Sequence, residues 1–239
     1  MVLGEVIAAS TTQFTAQCLP TSASGDAFRD LPDPPPFGAF VRIGPDVFAG
    51  SSPLPADFDP FEDIPTPGRL TSPVPASDAN APLALYGIVC YAETGSLEPG
   101  RPLTAFGLDE EALRRDQPQI FELLATRFSA TLVAYAAGSD GRVRPHLPPR
   151  PPRPHARVYL ASDTEIRQIT ERLTFLRSLL SSAAPSGVST DDLVAALLQH
   201  AWRAHNGDEA FLLRAGRELA ALLPTDYDRL RTILNQVIG

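Results

Sequence analysis

Up to residue 162 the apolar residues of this chain come in short runs separated by turn residues, and beyond it they recur at helical spacing. Val2–Ala8 reads as a strand, Ser10-Thr11-Thr12 as a turn, and Gln13-Phe14-Thr15-Ala16-Gln17-Cys18 alternates polar and apolar at period two. Pro34-Pro35-Pro36-Phe37-Gly38 interrupts the pattern, and Ala39–Ile43 is a further strand. Leu83–Tyr91 is a continuous apolar run, short for a helix and rich in β-formers. With Leu132–Tyr135 and Arg157–Leu160 this gives six short strands, which suggests a small β-barrel.

Residues 109–128 break the β pattern with a predicted helical pair. Asp109-Glu110-Glu111 places carboxylates at a helix N-terminus, where the dipole favours them. Pro118 suits the first turn of a second helix, Gln119–Phe128, with Ile120, Leu123, Leu124 and Arg127 on one face. After Ser162 the prediction is helical throughout. Ser162-Asp163-Thr164-Glu165 has the spacing of a capping box. Ile166, Ile169, Leu173, Leu176, Leu179 and Leu180 form one apolar stripe, ended by Pro185-Ser186-Gly187. Thr190-Asp191 starts a second helix to about His205, stopped by Asn206-Gly207. Ala210–Leu223 and Asp226–Val237 complete four amphipathic helices.

The expected fold is therefore α+β. An antiparallel barrel domain spans 1–162 and includes the helical pair, and a helical domain spans 163–239. The expected barrel core is Val6, Phe14, Phe40, Val41, Ile88, Val89, Val133 and Val158; Leu173, Leu176, Leu198, Trp202, Leu219 and Leu222 form the helical core. Residues 44–82 stand apart, with nine prolines, six acidic residues and a single arginine. Proline fixes φ and removes a donor, so this stretch reads as an irregular acidic insert, with Phe58 and Phe61 as candidate partner contacts.

Composition narrows the chemistry. All 20 basic residues are arginine, and against 28 acidic residues the formal net charge is −8. That balance argues against broad non-specific nucleic-acid binding. Without lysine there is no Walker A phosphate loop and no Schiff-base chemistry. Cys18 and Cys90 are too few for a zinc cage and read as buried free thiols. The N-terminus lacks the features of a signal peptide and no run is long enough for a membrane span, so the expected location is cytoplasmic.

Taken in order, several segments resemble the HAS barrel, the domain shared by HerA-type DNA translocases and the N-terminal crown of rotary ATP synthase subunits. Gly4-Glu5-Val6-Ile7, Ser10-Thr11-Thr12 and Phe14-Thr15 resemble its opening. Pro35-Pro36-Phe37-Gly38 leads into Val41-Arg42-Ile43, and Tyr86-Gly87-Ile88-Val89 is followed by Thr94-Gly95-Ser96-Leu97. Gly141-Arg142 and Pro148-Pro149-Arg150-Pro151-Pro152 before Val158-Tyr159-Leu160-Ala161 resemble its closing segment. Through Asp226-Tyr227-Asp228-Arg229-Leu230 the helical part resembles the tail of small stand-alone HAS-barrel proteins of cyanobacteria. In the translocases a RecA-like ATPase follows the barrel. Here the part after residue 162 is too short for one. The resemblance thus implies a barrel used for assembly, without the motor.

No catalytic, cofactor or metal site emerges. His146 and His155 flank an arginine–proline segment, while His200 and His205, five apart, fall on different helix faces. Asp191-Asp192, Asp208-Glu209 and Asp226/Asp228 sit at helix starts, where capping accounts for them. The segment itself carries Arg142, Arg144, Arg150, Arg153 and Arg157. It reads as a structural edge whose prolines prevent strand pairing, as an anion or nucleic-acid contact strip, or as a PxxP ligand. The expected function is a non-catalytic assembly or adaptor protein, self-associating or docking on a protein partner. The alternative is a nucleic-acid-associated accessory factor of a translocase or nuclease system, using the same arginines.

Overall fold

The computed structural model describes residues 2–20, 32–45, 83–98, 103–137, 142–181 and 187–238. Seven strands make one antiparallel sheet: β1 Val2–Ala9, β2 Gln13–Cys18, β3 Phe40–Ile43, β4 Leu83–Ser96, β5 Leu124–Ala137, β6 Val143–Arg144 and β7 Arg157–Leu160. The order β2-β1-β7-β3-β4-β5, with β2 also pairing β5, closes six of them into a barrel. The seventh, β6, takes the side of β5 beyond the end of β2, with Tyr135 opposite Arg144. The α+β class and the barrel expected from the sequence are present.

Two layers of apolar side chains follow from the period-two geometry of the strands. Val6, Phe14, Ala16, Val41, Leu85, Val89, Phe128, Ala130 and Val158 fill the barrel. Phe14 and Phe128 meet edge-to-face inside it. Gly87 leaves room there, since a Cβ on it would stand 3.1 Å from the Phe14 ring. The opposite face of the same strands carries Phe40, Tyr86, Ile88, Cys90, Val133 and Ala134, which pack on the helices. This corrects the expected barrel core: Phe40, Ile88 and Val133 point outward to the helices. The continuous apolar run of β4 reflects burial on both faces. Burying each of Phe40 and Ile88 contributes about 2 kcal/mol. Barrel and helices share this cluster, so the helices have no core apart from the barrel wall.

Two helical expectations fail. Only α1 Glu110–Asp116 and the single turn α2 Gln119–Glu122 form before β5 begins at Leu124. Residues 124–128 are strand because β4 pairs along all of them and β2 joins on the other side at Arg127 and Phe128, with Ala125 and Phe128 buried. Tertiary pairing overrides the helical spacing of Ile120, Leu123, Leu124 and Arg127. Likewise the stripe after Ser162 is two helices, α3 Asp163–Ile169 and α4 Phe175–Ser181. Its apolar positions Ile166, Ile169, Leu173, Leu176 and Leu179 are all buried, but the chain turns between Thr170 and Thr174. Thr170 Oγ1 donates to the Ile166 carbonyl at 2.7 Å and accepts from His205 Nε2 at 2.9 Å. The second bond ties the break to the end of the helix that follows α4.

Helices α5 Thr190–Ala204, α6 Glu209–Leu222 and α7 Tyr227–Ile238 match the sequence reading to within a residue or two. Ser189, one residue earlier than expected, caps α5. Asn206 and Gly207 adopt φ of 58° and 75° and end it. Leu173, Leu176, Leu198 and Leu219 are buried as expected, with Trp202 and Leu222 packed against them. The acidic insert lies outside the described residues from 46 to 82, and Phe58 and Phe61 with it.

The barrel–helix seam is held at two points. Gly38 (φ 77°) brings the chain before β3 against α5, where Phe37 O accepts from His200 Nε2 at 3.1 Å. At the second point the capping box forms as predicted. Glu165 Oε2 accepts from the Ser162 amide at 2.8 Å, while Oε1 lies 3.3 Å from Arg42 Nε and from the Tyr86 hydroxyl. The Arg42 guanidinium also covers the Tyr159 ring at 5.1 Å.

Candidate functional site

The five arginines of the candidate segment separate into two groups, because the chain between them crosses from one side of β5 to the edge of β1. Arg150, Arg153 and Arg157 are exposed beside β1. Pro154 and His155 form a turn, with His155 at φ 65°. Its amide donates to Val6 O at 2.8 Å, and Val6 N donates to Ala156 O at 2.9 Å. The His155 ring contacts the Glu5 carboxylate through Nδ1. Arg157 stands directly opposite Glu5 in the β1–β7 ladder, where opposite charges favour the pairing.

The prolines between the two groups have unequal roles. Pro148 and Pro152 are buried, whereas Pro149, Pro151 and Pro154 are exposed. Two of the prolines are therefore committed to packing, and what this segment offers a partner is a broken apolar row and exposed guanidiniums.

Arg142 and Arg144 belong to a different place. The short pairing of β6 on β5 sets Arg144 beside Tyr135, with its guanidinium 5.9 Å from the ring centroid. Arg144 Nη1 also donates to the carbonyls of Ala137 and Arg142, each at 3.4 Å. The His146 ring meets the same tyrosine edge-on at 5.1 Å. Opposite them, the end of α3 and the turn after it present Gln168, Glu171 and Arg172. Between the two walls is a cleft of about 420 Å³. A smaller cavity of about 70 Å³ adjoins it, sharing Pro145 and His146 and lined by Leu132, Val133, Phe175 and Leu179.

Sequence reasoning found Arg142 and Arg144 but missed Gln168, Glu171 and Arg172. The one local signal was the polar run Arg167-Gln168 and Glu171-Arg172 on either side of buried Ile169 and Thr170. Their place opposite β6 is a tertiary fact.

The remaining titratable candidates are structural. His200 faces Phe37 and His205 faces Thr170, so the two do indeed lie on different helix faces. Burial lowers the pKa of both, and at His205 the neighbouring Arg214 and Arg167 lower it further. Cys18 and Cys90 are buried free thiols, as expected. Desolvation pushes the Cys18 thiol up to about 11 and raises Cys90 as well. Asp208 caps α6 through the Ala210 amide, Asp226 accepts from the Arg229 amide, and Asp191 pairs with Arg229 at 2.7 Å. Among the described residues no group of three His, Cys, Asp or Glu side chains is placed to hold a metal ion, and no helix is long and apolar enough to cross a membrane.

No protein-family model matches the chain, and no curated protein matches it.

Proposed function

We propose that this chain is a non-catalytic assembly or adaptor protein of the HAS-barrel type, which self-associates or docks on a larger protein complex. The observation that carries this reading is the excursion between β4 and β5. Past the last β2–β5 pair, Gln17–Arg127, the two strands continue as a paired arm from Thr94–Thr126 to Ser96–Leu124. The residues described past it include Leu97, Leu103, Phe106 and Leu108, each 39–56% exposed. Four exposed large apolar side chains between positions 97 and 108 are the kind of surface that marks a protein contact. Closure of the six barrel strands on one another leaves less room there for edge-to-edge strand addition than for contact through such an arm.

Size-exclusion chromatography with light scattering, together with co-purification from native cells, tests the proposal. An oligomer or a stoichiometric partner, lost when Phe106 and Leu108 become serine, is the expected result. A strict monomer with no co-purifying protein overturns it.

A second reading, a nucleic-acid-associated accessory role, is favoured by the exposure of Arg150, Arg153 and Arg157. It requires binding that weakens with salt and with Arg150→Ala and Arg153→Ala. Binding indifferent to both sinks it.

A further inference from the structure

Strand β4 outruns its neighbour on one side. β3 pairs it from Ile43–Leu85 to Phe40–Ile88, and Gly38 and Ala39 carry the bonding on to Val89. Past Val89 the strand runs on to Ser96 with β5 along its other side. Among the described residues no strand takes the β3 side of that stretch. Leu97 N donates to Leu123 O at 2.7 Å, so the odd-numbered residues here bond to β5. Antiparallel pairing then turns the N–H and C=O of Ala92, Thr94 and Ser96 to the open edge. The Thr94 and Thr126 hydroxyls, 3.0 Å apart, fit the close side-chain approach of a pair that exchanges no backbone bonds.

An open edge is a template for another strand, and folds blunt such edges with proline, lysine or a bulge. From Ala92 to Ser96 there is no proline or lysine, and the register with β5 is unbroken. The one charged residue, Glu93, selects among the ways two such edges can meet. A two-fold axis at Glu93 sets two carboxylates directly opposite each other, which is unfavourable. An axis at Gly95 pushes Ala92 past the end of the facing strand and loses its bonds. An axis at Thr94 avoids both. Thr94 then meets Thr94, Ala92 meets Ser96 in both directions, and each of these pairs exchanges two hydrogen bonds. On the other face Glu93 lies opposite Gly95, and Tyr91 lies opposite the exposed Leu97. The edge is thus complementary to itself in that register.

We propose that two copies of this chain pair antiparallel along Ala92–Ser96 about a two-fold axis at Thr94, an inference that rests on the assembly reading and makes a second copy the partner. The β4–β5 arms of the two copies then form one continuous sheet.

Sedimentation velocity of the full chain over a concentration series tests this, with Gly95→Glu, Gly95→Arg and the double variant Glu93→Arg/Gly95→Glu. A Cβ at Gly95 meets nothing within 4 Å, so the substitutions leave room for the fold, and matching melting curves of the variants check that they do. The expected result is a reversible dimer. Position 95 faces Glu93 twice across the axis, so Gly95→Glu should raise the dimer Kd about fivefold or more, and Gly95→Arg should lower it. The double variant should recover the affinity lost in Gly95→Glu. Amide exchange at Ala92, Thr94 and Ser96 should slow as the concentration rises. A chain that stays monomeric overturns the pairing, even where another protein protects the same amides, and a co-purifying partner would then leave the assembly reading standing. A dimer that Gly95→Glu and Gly95→Arg shift alike, or leave unchanged, also overturns it; loss of that dimer in Phe106→Ser with Leu108→Ser would place the contact in the apolar side chains instead.

Discussion

Glu165 serves Ser162 and Arg42 at once: one carboxylate oxygen closes the first turn of α3 and the other lies 3.3 Å from the barrel guanidinium. Its side chain is 1% exposed and that of Arg42 10%, so the helical segment begins at a buried cation of the barrel wall. Glu165→Ala should therefore cost about 3 kcal/mol or more, because it removes the carboxylate beside the buried Arg42 and opens the cap. Replacing Arg42 and Glu165 together by leucine should cost less than Glu165→Leu alone. Urea unfolding of Glu165→Leu, Arg42→Leu and the double variant measures this, and costs that simply add would show that the two groups are not coupled.

Gly38 fixes the second point of the seam. A Cβ there would lie 2.6 Å from Ala196 Cβ and 2.7 Å from the Ala196 carbonyl carbon, at a φ of 77°. Gly38→Ala should lower stability by about 2–4 kcal/mol through the clash and the left-handed backbone. Adding Ala196→Gly should not restore it, because the helix backbone itself is in the way. Denaturation midpoints check both, and full recovery in the double variant would place the conflict in the side chain alone.

Acid should loosen the same region. The folded protein holds His200 and His205 below the usual histidine pKa of 6.5, so the unfolded chain takes up protons first as pH falls. Stability is then fully present above about pH 6.5 and falls as the pH drops from there through the folded-state values. Comparing unfolding midpoints at about pH 7.5 and about pH 5.5 tests the sign. His200→Gln with His205→Gln should flatten that part of the profile, and an unchanged slope would assign it to other groups.

Both thiols should be silent in the native state. Cys18, pushed up to about 11, and Cys90 are buried and their thiolate forms disfavoured. A thiol reagent at neutral pH should react with neither until denaturant is added, when two equivalents should appear. Rapid labelling of the native protein would show that one of these sites opens readily.

Much of this architecture is readable in the chain because local and tertiary demands agree. Gln13–Cys18 alternates as a half-buried strand should, and it and Arg157–Leu160 occur with the expected bounds. The Ser162–Glu165 box needs only spacing, and it forms. Reading fails where a second face is involved. Phe40, Ile88 and Val133 are as apolar as residues inside the barrel, and only the position of the helices shows that they face outward. Leu124–Phe128 has helical spacing, but pairing with β4 along its length, and with β2 at Arg127 and Phe128, makes it strand. The candidate cleft was half legible for the same reason. Arg142 and Arg144 announce themselves as part of a basic run, whereas Arg172 and Glu171 join them only through a turn at Thr170 that the apolar stripe conceals.

The strand order carries a consequence for how the molecule is made. β7 lies between β1 and β3 although it is the last strand in the chain. Until it has been synthesised, the other five barrel strands can form only an open sheet, with β1 and β3 exposed as its two edges. Pairing of β1 with β7 joins segments about 150 positions apart, the kind of long-range contact that folds slowly. A nascent or truncated chain ending before residue 157 would present two strand edges ready to pair with other chains. The arginine–proline stretch just ahead of β7 is thus the last part of the chain to emerge while the sheet is still open.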